Sequence, residues 1–270
     1  MTFETVATLT RFDVTFHAQH AIMLDLAADL AKTLDGPLGQ PVDVFVAAHQ
    51  SRWFTPSGRL RVALQTEQLY DEAGVPMLKA FRENRITNFI NRFDAVLDFA
   101  YCNRPAYDGL SEALLAKVHF GPHIFPRHPR PLQPGGEALL FVGGTNKRRD
   151  EGLAAVSALQ TVARAPEGTF GAGLDALIAA SAGMVNIHLK DGTYTEYPRL
   201  LKAILHGKPF WSEALAQPLK PGEHYFDLAA QSDVSEIARV YNAATRMLAE
   251  RYSFSGFLES LLASKVEKRA

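Results

Sequence analysis

The chain has 270 residues, enough to bury roughly three quarters of the surface its unfolded form exposes, so one large or two small domains are within reach. Its 47% hydrophobic and 21% charged residues are an ordinary globular mixture, and a net charge of −1 gives no general attraction for nucleic acid or an anionic membrane. The single cysteine, Cys102, excludes an internal disulfide and any multi-cysteine metal site, and no apolar run approaches the ~20 residues of a membrane span.

The opening stretch, MTFETVATLTRF, lacks the basic start and apolar core of a secretory leader, so a cytoplasmic location is expected. Phe12, Val14 and Phe16 alternate with Asp13 and Thr15, which predicts a first strand. A polar turn over 17–20 leads into an amphipathic helix over 22–34, with Leu26, Leu30 and Leu34 on one stripe, stopped by Asp35-Gly36-Pro37. The apolar run 42–47 predicts a second strand ending before His49 and Gln50. Residues 61–64 predict a third, emptying into Gln65, Thr66, Glu67 and Gln68. A polar helix is expected over 77–92, then strands over 93–99 and 118–120.

Residues 122–134 carry five prolines and neither helical nor alternating periodicity, the pattern of a linker. It divides the chain into domains at 1–131 and 132–250, with 251–270 as a C-terminal helix. After it, a strand over 138–142 meets the turn Gly143-Gly144-Thr145-Asn146 and a helix over 147–159. A short strand over 161–163 and a helix over 173–182 follow. A strand over 184–189 is broken by Lys190-Asp191-Gly192-Thr193. Thr195 is placed to cap the next helix, Pro198 is tolerable in its first turn, and Leu200, Leu201, Ile204 and Leu205 give it one apolar face. Gly207 suits a left-handed C-terminal position and Pro209 prevents continuation. Phe210 and Trp211 begin another strand with Glu213 at its carboxyl end. Helices are expected over 233–250 and 253–265, the last with Phe254, Phe257, Leu258, Leu261 and Leu262 for burial. Strands alternating with helices imply an α/β fold with parallel sheets and right-handed crossovers.

In such sheets ligands bind at the carboxyl ends of the strands. Gly143 and Gly144 let a ligand approach the backbone there, while Lys147, Arg148 and Arg149 supply charge for a diphosphate. Neither a P-loop nor a GxGxxG fingerprint is present. His188, Tyr194, Glu196, Arg199 and Glu213 gather around neighbouring strand ends. Metal sites lack support, with no HExxH, Cys–His or Asp-x-Asp spacing. His119, His123 and His128 read as solvated linker residues and Cys102 as a small core residue. No GxSxG segment supports a serine hydrolase.

Asn186, His188, Glu196, Arg199, Ala203, Gly207, Lys208, Pro209, Ser212 and Glu213 spell N-x-H…E-x-x-R…A-x-x-x-G-K-P…S-E. Gly143, Asn146, Arg148 and Arg149 spell G-x-x-N-x-R-R, and Gln65, Glu67 and Gln68 spell Q-x-E-Q. Together these resemble the GT-B type glycosyltransferases, in particular the bacterial spore-coat/capsule, glycosyl transferases group 1 kind. The resemblance implies a compact version of two Rossmann-like domains whose parallel sheets face across a cleft. The C-terminal domain would hold a nucleoside diphosphate sugar and the N-terminal domain an acceptor (glycan, lipid-linked or protein), with the last helix crossing back to the N-terminal domain. It implies bacterial glycan biosynthesis without a cofactor or a catalytic metal. The donor-binding residues it implies are Gly143, Gly144, Asn146, Arg148, Arg149, His188, Tyr194, Glu196, Arg199 and Glu213, with Glu196 accepting the ribose hydroxyls. Transfer with inversion needs a general base. The candidates are Glu67, and His17 and His20, which a helix N-terminus would keep neutral. A reduced binding or scaffold protein without catalysis, and a sugar-nucleotide epimerase or hydrolase, are the alternative readings.

Overall fold

The structure, a computed structural model, describes residues 7–48, 58–77, 90–133 and 135–267. The chain divides into two compact units, Met1–Arg127 with Arg251–Ala270, and His128–Glu250.

The first unit is built on a six-stranded sheet in chain order: β1 (Ala7–Arg11), β2 (Val14–Ala18), β3 (Val42–Phe45), β4 (Leu60–Gln65), β5 (Ala95–Asp98) and β6 (Val118–Phe120). The expected first strand is a hairpin instead. β1 pairs antiparallel with β2, and the chain reverses at Phe12, whose φ is 53°. The alternation identified the buried face of β2 (Val14, Phe16 and Ala18 are all 0% exposed) but not the reversal before it. From β2 to β6 every pairing is parallel. Helix α1 (Ala21–Lys32) buries Leu26, Ala27, Leu30 and Ala31. Helix α7 (Phe254–Glu267), at the end of the chain, packs in this same unit. Phe254 meets Phe16, and Ser255 Oγ accepts from the Asp35 N–H and donates to the Thr33 carbonyl, tying α7 to the end of α1. On the other face Phe45, Ile90, Phe93, Val96 and Tyr107 form a second core. After β5 come a 3-10 helix (Tyr101–Tyr107) and α2 (Glu112–Leu115). Most of the polar helix expected over 77–92 lies outside the described residues, as do His49 and Gln50.

The second unit contains β7 (Leu139–Phe141), α3 (Lys147–Ser157), β8 (Val162–Arg164), α4 (Gly171–Ala180), β9 (Gly183–Asn186), α5 (Tyr197–Leu205), β10 (Phe210–Ser212) and β11 (Phe226–Asp227). Most of α6 (Val234–Tyr252) also belongs to it. Its strands are all parallel, in the order β11-β10-β9-β7-β8. The chain leaves β7 to one side, forms β8, then crosses back to build β9, β10 and β11 on the other. The reversal between β7 and β9 is a topological switch point. At such points the crossovers leave adjacent strand ends in opposite directions, the usual place for a ligand in an α/β sheet. Strand β11, two residues long, is too short for any periodicity to announce.

The capping of α5 differs from expectation. Thr195 does not cap α5; Glu196 occupies the cap position without a side-chain capping bond, and Thr195 Oγ1 accepts from the Ala216 N–H instead. Lys208 of the Gly-Lys-Pro segment is a framework residue, 1% exposed, with Nζ donating to the Ser181 carbonyl at 2.8 Å and the Gln133 carbonyl at 3.3 Å. No described helix is long and apolar enough to cross a membrane.

Candidate functional site

Three adjacent strand ends carry the polar residues of the second unit. Beyond β7, Gly143 adopts φ 143° and the chain turns into α3. Asn146 caps that helix by accepting from the Arg149 N–H (2.9 Å), and its amide donates to the Leu189 carbonyl (3.0 Å), joining the loops that follow β7 and β9. Asn186 ends β9 and Ser212 ends β10, with Ile187, His188 and Glu213 just beyond.

Arg148 grips Glu213 with both terminal nitrogens (2.9 and 2.7 Å), reaches Asp191 through Nε (2.6 Å) and donates to the His188 carbonyl (2.9 Å). The Glu213 carboxylate raises the Arg148 pKa. It also accepts from the His188 N–H at 2.6 Å. Arg149 is 4% exposed. It donates to the Ile187 carbonyl (3.0 Å) and the Gly144 carbonyl (2.7 Å), and reaches Glu196 Oε1 at 3.5 Å. Burial lowers its pKa, and the positive charge of Arg199 adds to the effect. Arg199 Nη1 donates to Asn186 Oδ1 (2.5 Å) and Glu196 Oε1 (3.3 Å). Both guanidiniums lie within 6 Å of the Phe141 ring, at 5.6 Å for Arg149 and 5.8 Å for Arg199. Among the described residues, Nε and Nη2 of Arg199 have no hydrogen-bond partner. A Cβ on Gly143 would stand 2.7 Å from that Nη2, so the free edge of the guanidinium faces the glycine turn.

Glu196 is surrounded. Oε1 receives Arg149 and Arg199, while Oε2 receives the Asn186 amide (3.0 Å) and faces His188 Nδ1 (2.9 Å). Burial pushes its pKa up, but the His188 hydrogen bond and the Arg199 charge outweigh it and hold the carboxyl below its usual range. The other ring nitrogen of His188 faces the Ala214 carbonyl (3.0 Å), and the ring stacks on Tyr194 with centroids 4.1 Å apart. The Tyr194 hydroxyl accepts from the Lys190 N–H, and burial raises its phenol pKa. All ten residues expected to hold a donor therefore converge on one strand-end region. Asn186, 0% exposed, is the central piece that sequence reasoning passed over. In the sequence it stands inside the predicted strand 184–189 and carries no signal beyond its place in the resembled segment. Asp191, with its side chain 95% exposed, carried no signal at all.

In the first unit, His17 does not lie in the turn before α1. It is the fourth residue of β2, because the strand runs two residues past the alternation that predicted it. Its Nε2 faces Asp43 Oδ1 at 2.8 Å on the neighbouring strand, its ring stacks on Phe45, and Arg59 Nε lies 2.8 Å from Asp43 Oδ2. Asp43, 2% exposed, sits inside a run that reads as plain buried strand, so its pairing with His17 was invisible in the sequence. His20 does occupy the N-cap of α1, exposed and without a side-chain capping bond.

Glu67 follows β4. Its carbonyl accepts from the Asn103 amide (2.8 Å), and Asn103 Oδ1 accepts from the Leu69 and Tyr70 N–H groups, so Asn103 shapes this segment. Asn103 in turn donates to Asp98, which also accepts from the Tyr107 hydroxyl and the Ala100 N–H. Complete burial raises the Asp98 carboxyl to about 7 against the pull of these donors. Gln68 donates to the Cys102 sulfur, and burial, with Asp98 nearby, pushes the thiol up to about 11, far from a thiolate nucleophile. His119 and His123 are not solvated linker residues. Both rings pack against Phe257, burial lowers both pKa values, and the added proximity of His119 brings His123 to about 4.

No family model matches the chain, and no curated protein matches it. Among solved structures it is similar to S. aureus TarM, determined as a point mutant with fondaparinux, alpha-GlcNAc-glycerol and UDP. That match has a TM-score of 0.52 at 10% identity and covers 92% of this chain and 59% of TarM. It is also similar to the structure of accessory secretory proteins 1, 2 and 3 of Streptococcus pneumoniae, with a TM-score of 0.50 at 9% identity, covering 85% of this chain and 54% of that one. The chain thus spans little more than half the length of these neighbours. At such identity the likeness is one of fold, and the fold is α/β with two Rossmann-like domains of the GT-B type.

Proposed function

We propose that the chain is a glycosyltransferase that takes a nucleotide sugar on its second unit and an acceptor on its first. The observation that carries this reading is the free edge of Arg199, whose Nη2 lies beside Gly143 at the switch point of a doubly wound sheet. Arg148 is matched by Glu213 and Asp191, and Arg149 and Arg199 share Glu196, but Arg199 reaches it through Nη1 alone and keeps its other edge open. An incoming diphosphate would therefore be met by the Arg199 edge, the backbone at Gly143 and Gly144, and the N-terminus of α3, all donors to anionic oxygen. The same groups would stabilise negative charge developing on a departing nucleoside diphosphate without a metal. The UDP in the TarM structure supports a uridine nucleotide as the first ligand to try.

On the first unit, His17 is the favoured base. Asp43 accepts from one ring nitrogen and leaves the other for an acceptor hydroxyl, the arrangement by which a carboxylate orients a basic imidazole. Glu67 and His20 are the rival bases. A bacterial glycan is the proposed acceptor class and the cytoplasm the proposed location.

Calorimetric titration with UDP, ADP, GDP, CDP and dTDP tests the donor half. At least one should bind, and Arg199→Ala should weaken it by about tenfold or more. Absence of any heat or melting shift at millimolar nucleotide would sink the reading. In a transfer assay over a panel of sugar nucleotides and acceptors, His17→Gln should cut turnover by about 10²–10⁴ while donor affinity stays.

A further inference from the structure

Resting on the donor reading above, we infer that Glu196 is a positioning residue for Arg199 and does not receive the ribose of the donor. A carboxylate offers about four acceptor positions. Four protein groups already crowd the two oxygens of Glu196: Arg149 (3.5 Å) and Arg199 (3.3 Å) donate to Oε1, the Asn186 amide donates to Oε2 (3.0 Å), and His188 Nδ1 faces Oε2 at 2.9 Å, donating there when that nitrogen carries a proton. A ribose diol would have to displace two of these partners, each held in place by further bonds. Asn186 Nδ2 also donates to Ser212 Oγ (3.0 Å), and the His188 ring is held by stacking on Tyr194, with Nε2 3.0 Å from the Ala214 carbonyl. Arg149 is anchored on two backbone carbonyls.

What the carboxylate accomplishes is visible on Arg199. Asn186 Oδ1 and Glu196 Oε1 together occupy the two N–H groups of Nη1, and this fixes the plane of the guanidinium. The fork is rigid, so holding one end aims the other. Nε and Nη2 are left open, with Nη2 beside Gly143 in the turn after β7. Glu196 also supplies the negative charge that lets Arg149 and Arg199 share one ring of Phe141. Glu213 differs. It receives Arg148 twice and the His188 N–H once, which leaves one acceptor position on Oε1.

The experiment is a thermodynamic cycle on the most tightly bound nucleoside diphosphate, its 2′-deoxy and 3′-deoxy forms and its monophosphate, measured by calorimetry on wild type, Glu196→Gln and Glu196→Asp. Glutamine removes the charge; aspartate keeps it but draws it back by one methylene, so one soluble, folded variant suffices. The expected result is that deleting a ribose hydroxyl costs the same factor, within about threefold, in wild type and variant. The preference for diphosphate over monophosphate should meanwhile fall by about tenfold. A merely structural lesion would weaken all four ligands by one common factor and leave that preference unchanged, which would overturn the inference. It is equally overturned if the hydroxyl cost disappears in the variants, as a direct ribose contact requires. Wild type that binds no nucleotide would instead bring down the donor reading, and the inference with it.

Discussion

Asp98 offers a test in which the sign of a pH effect is set by burial. Its carboxyl ionises near 3.8 in the unfolded chain and at about 7 in the native one. Between those values the unfolded chain has released a proton that the native chain retains, so stability is greatest below the lower value and is lost as pH rises toward the upper. At about 1.4 kcal/mol per pH unit the interval is worth about 4 kcal/mol. Asp98→Asn cannot ionise and removes this dependence. It turns an amide N–H₂ toward donors, the Asn103 amide among them, at a pH-independent cost of about 1–3 kcal/mol. Urea unfolding of both proteins at pH 4 and pH 8, followed by circular dichroism, isolates the group, because every other titration cancels in the difference. Wild type should be the more stable protein at pH 4, and the order should reverse at pH 8. A difference that stays within about 1 kcal/mol between the two pH values would refute the burial argument. The result bears on function because Asp98 holds Asn103, and Asn103 holds the segment that carries Glu67.

Gly143→Ala places a Cβ 2.7 Å from Arg199 Nη2 at a φ of 143°, so nucleoside diphosphate affinity should fall by about tenfold or more in titration. Gly207→Ala meets the Pro131 carbonyl oxygen at 2.4 Å with φ at +68°; a loss of about 1–3 kcal/mol should appear in chemical denaturation, with nucleotide affinity per folded molecule unchanged. Arg148→Lys cannot reproduce the two-pronged grip on Glu213 or keep Asp191 as well. Because these groups are partly solvated the stability cost should be only about 1 kcal/mol, but amide exchange over residues 189–193 should quicken measurably in mass spectrometry.

Local periodicity carried most of the element order. The helical stripe of Leu26 and Leu30, the apolar strand 42–45 and the Gly207–Pro209 stop are decided by neighbours a few residues away, and such signals survive in a single sequence. The prolines of 122–134 likewise marked a break in periodicity, and GGTNKRR marked a basic helix start after a strand. Even locally, competition misled: Thr195 has a capping side chain, yet the Ala216 N–H, 21 residues on, claims its oxygen.

Everything that gives the charged residues a task came from tertiary structure. The reversal between β7 and β9 depends on which side of β7 each crossover takes, and no residue in either strand encodes that choice alone. Glu196 reads as a helix-start carboxylate beside Arg199, but its meeting with Arg149 joins residues 47 apart in the chain. His17 gained Asp43 from 26 residues away, across a strand pairing that only the folded sheet creates. The types of residue at the site were thus written in the sequence. Their pairing, and with it the free edge of Arg199, follows from packing distant segments into one low-dielectric region where buried polar groups must find partners.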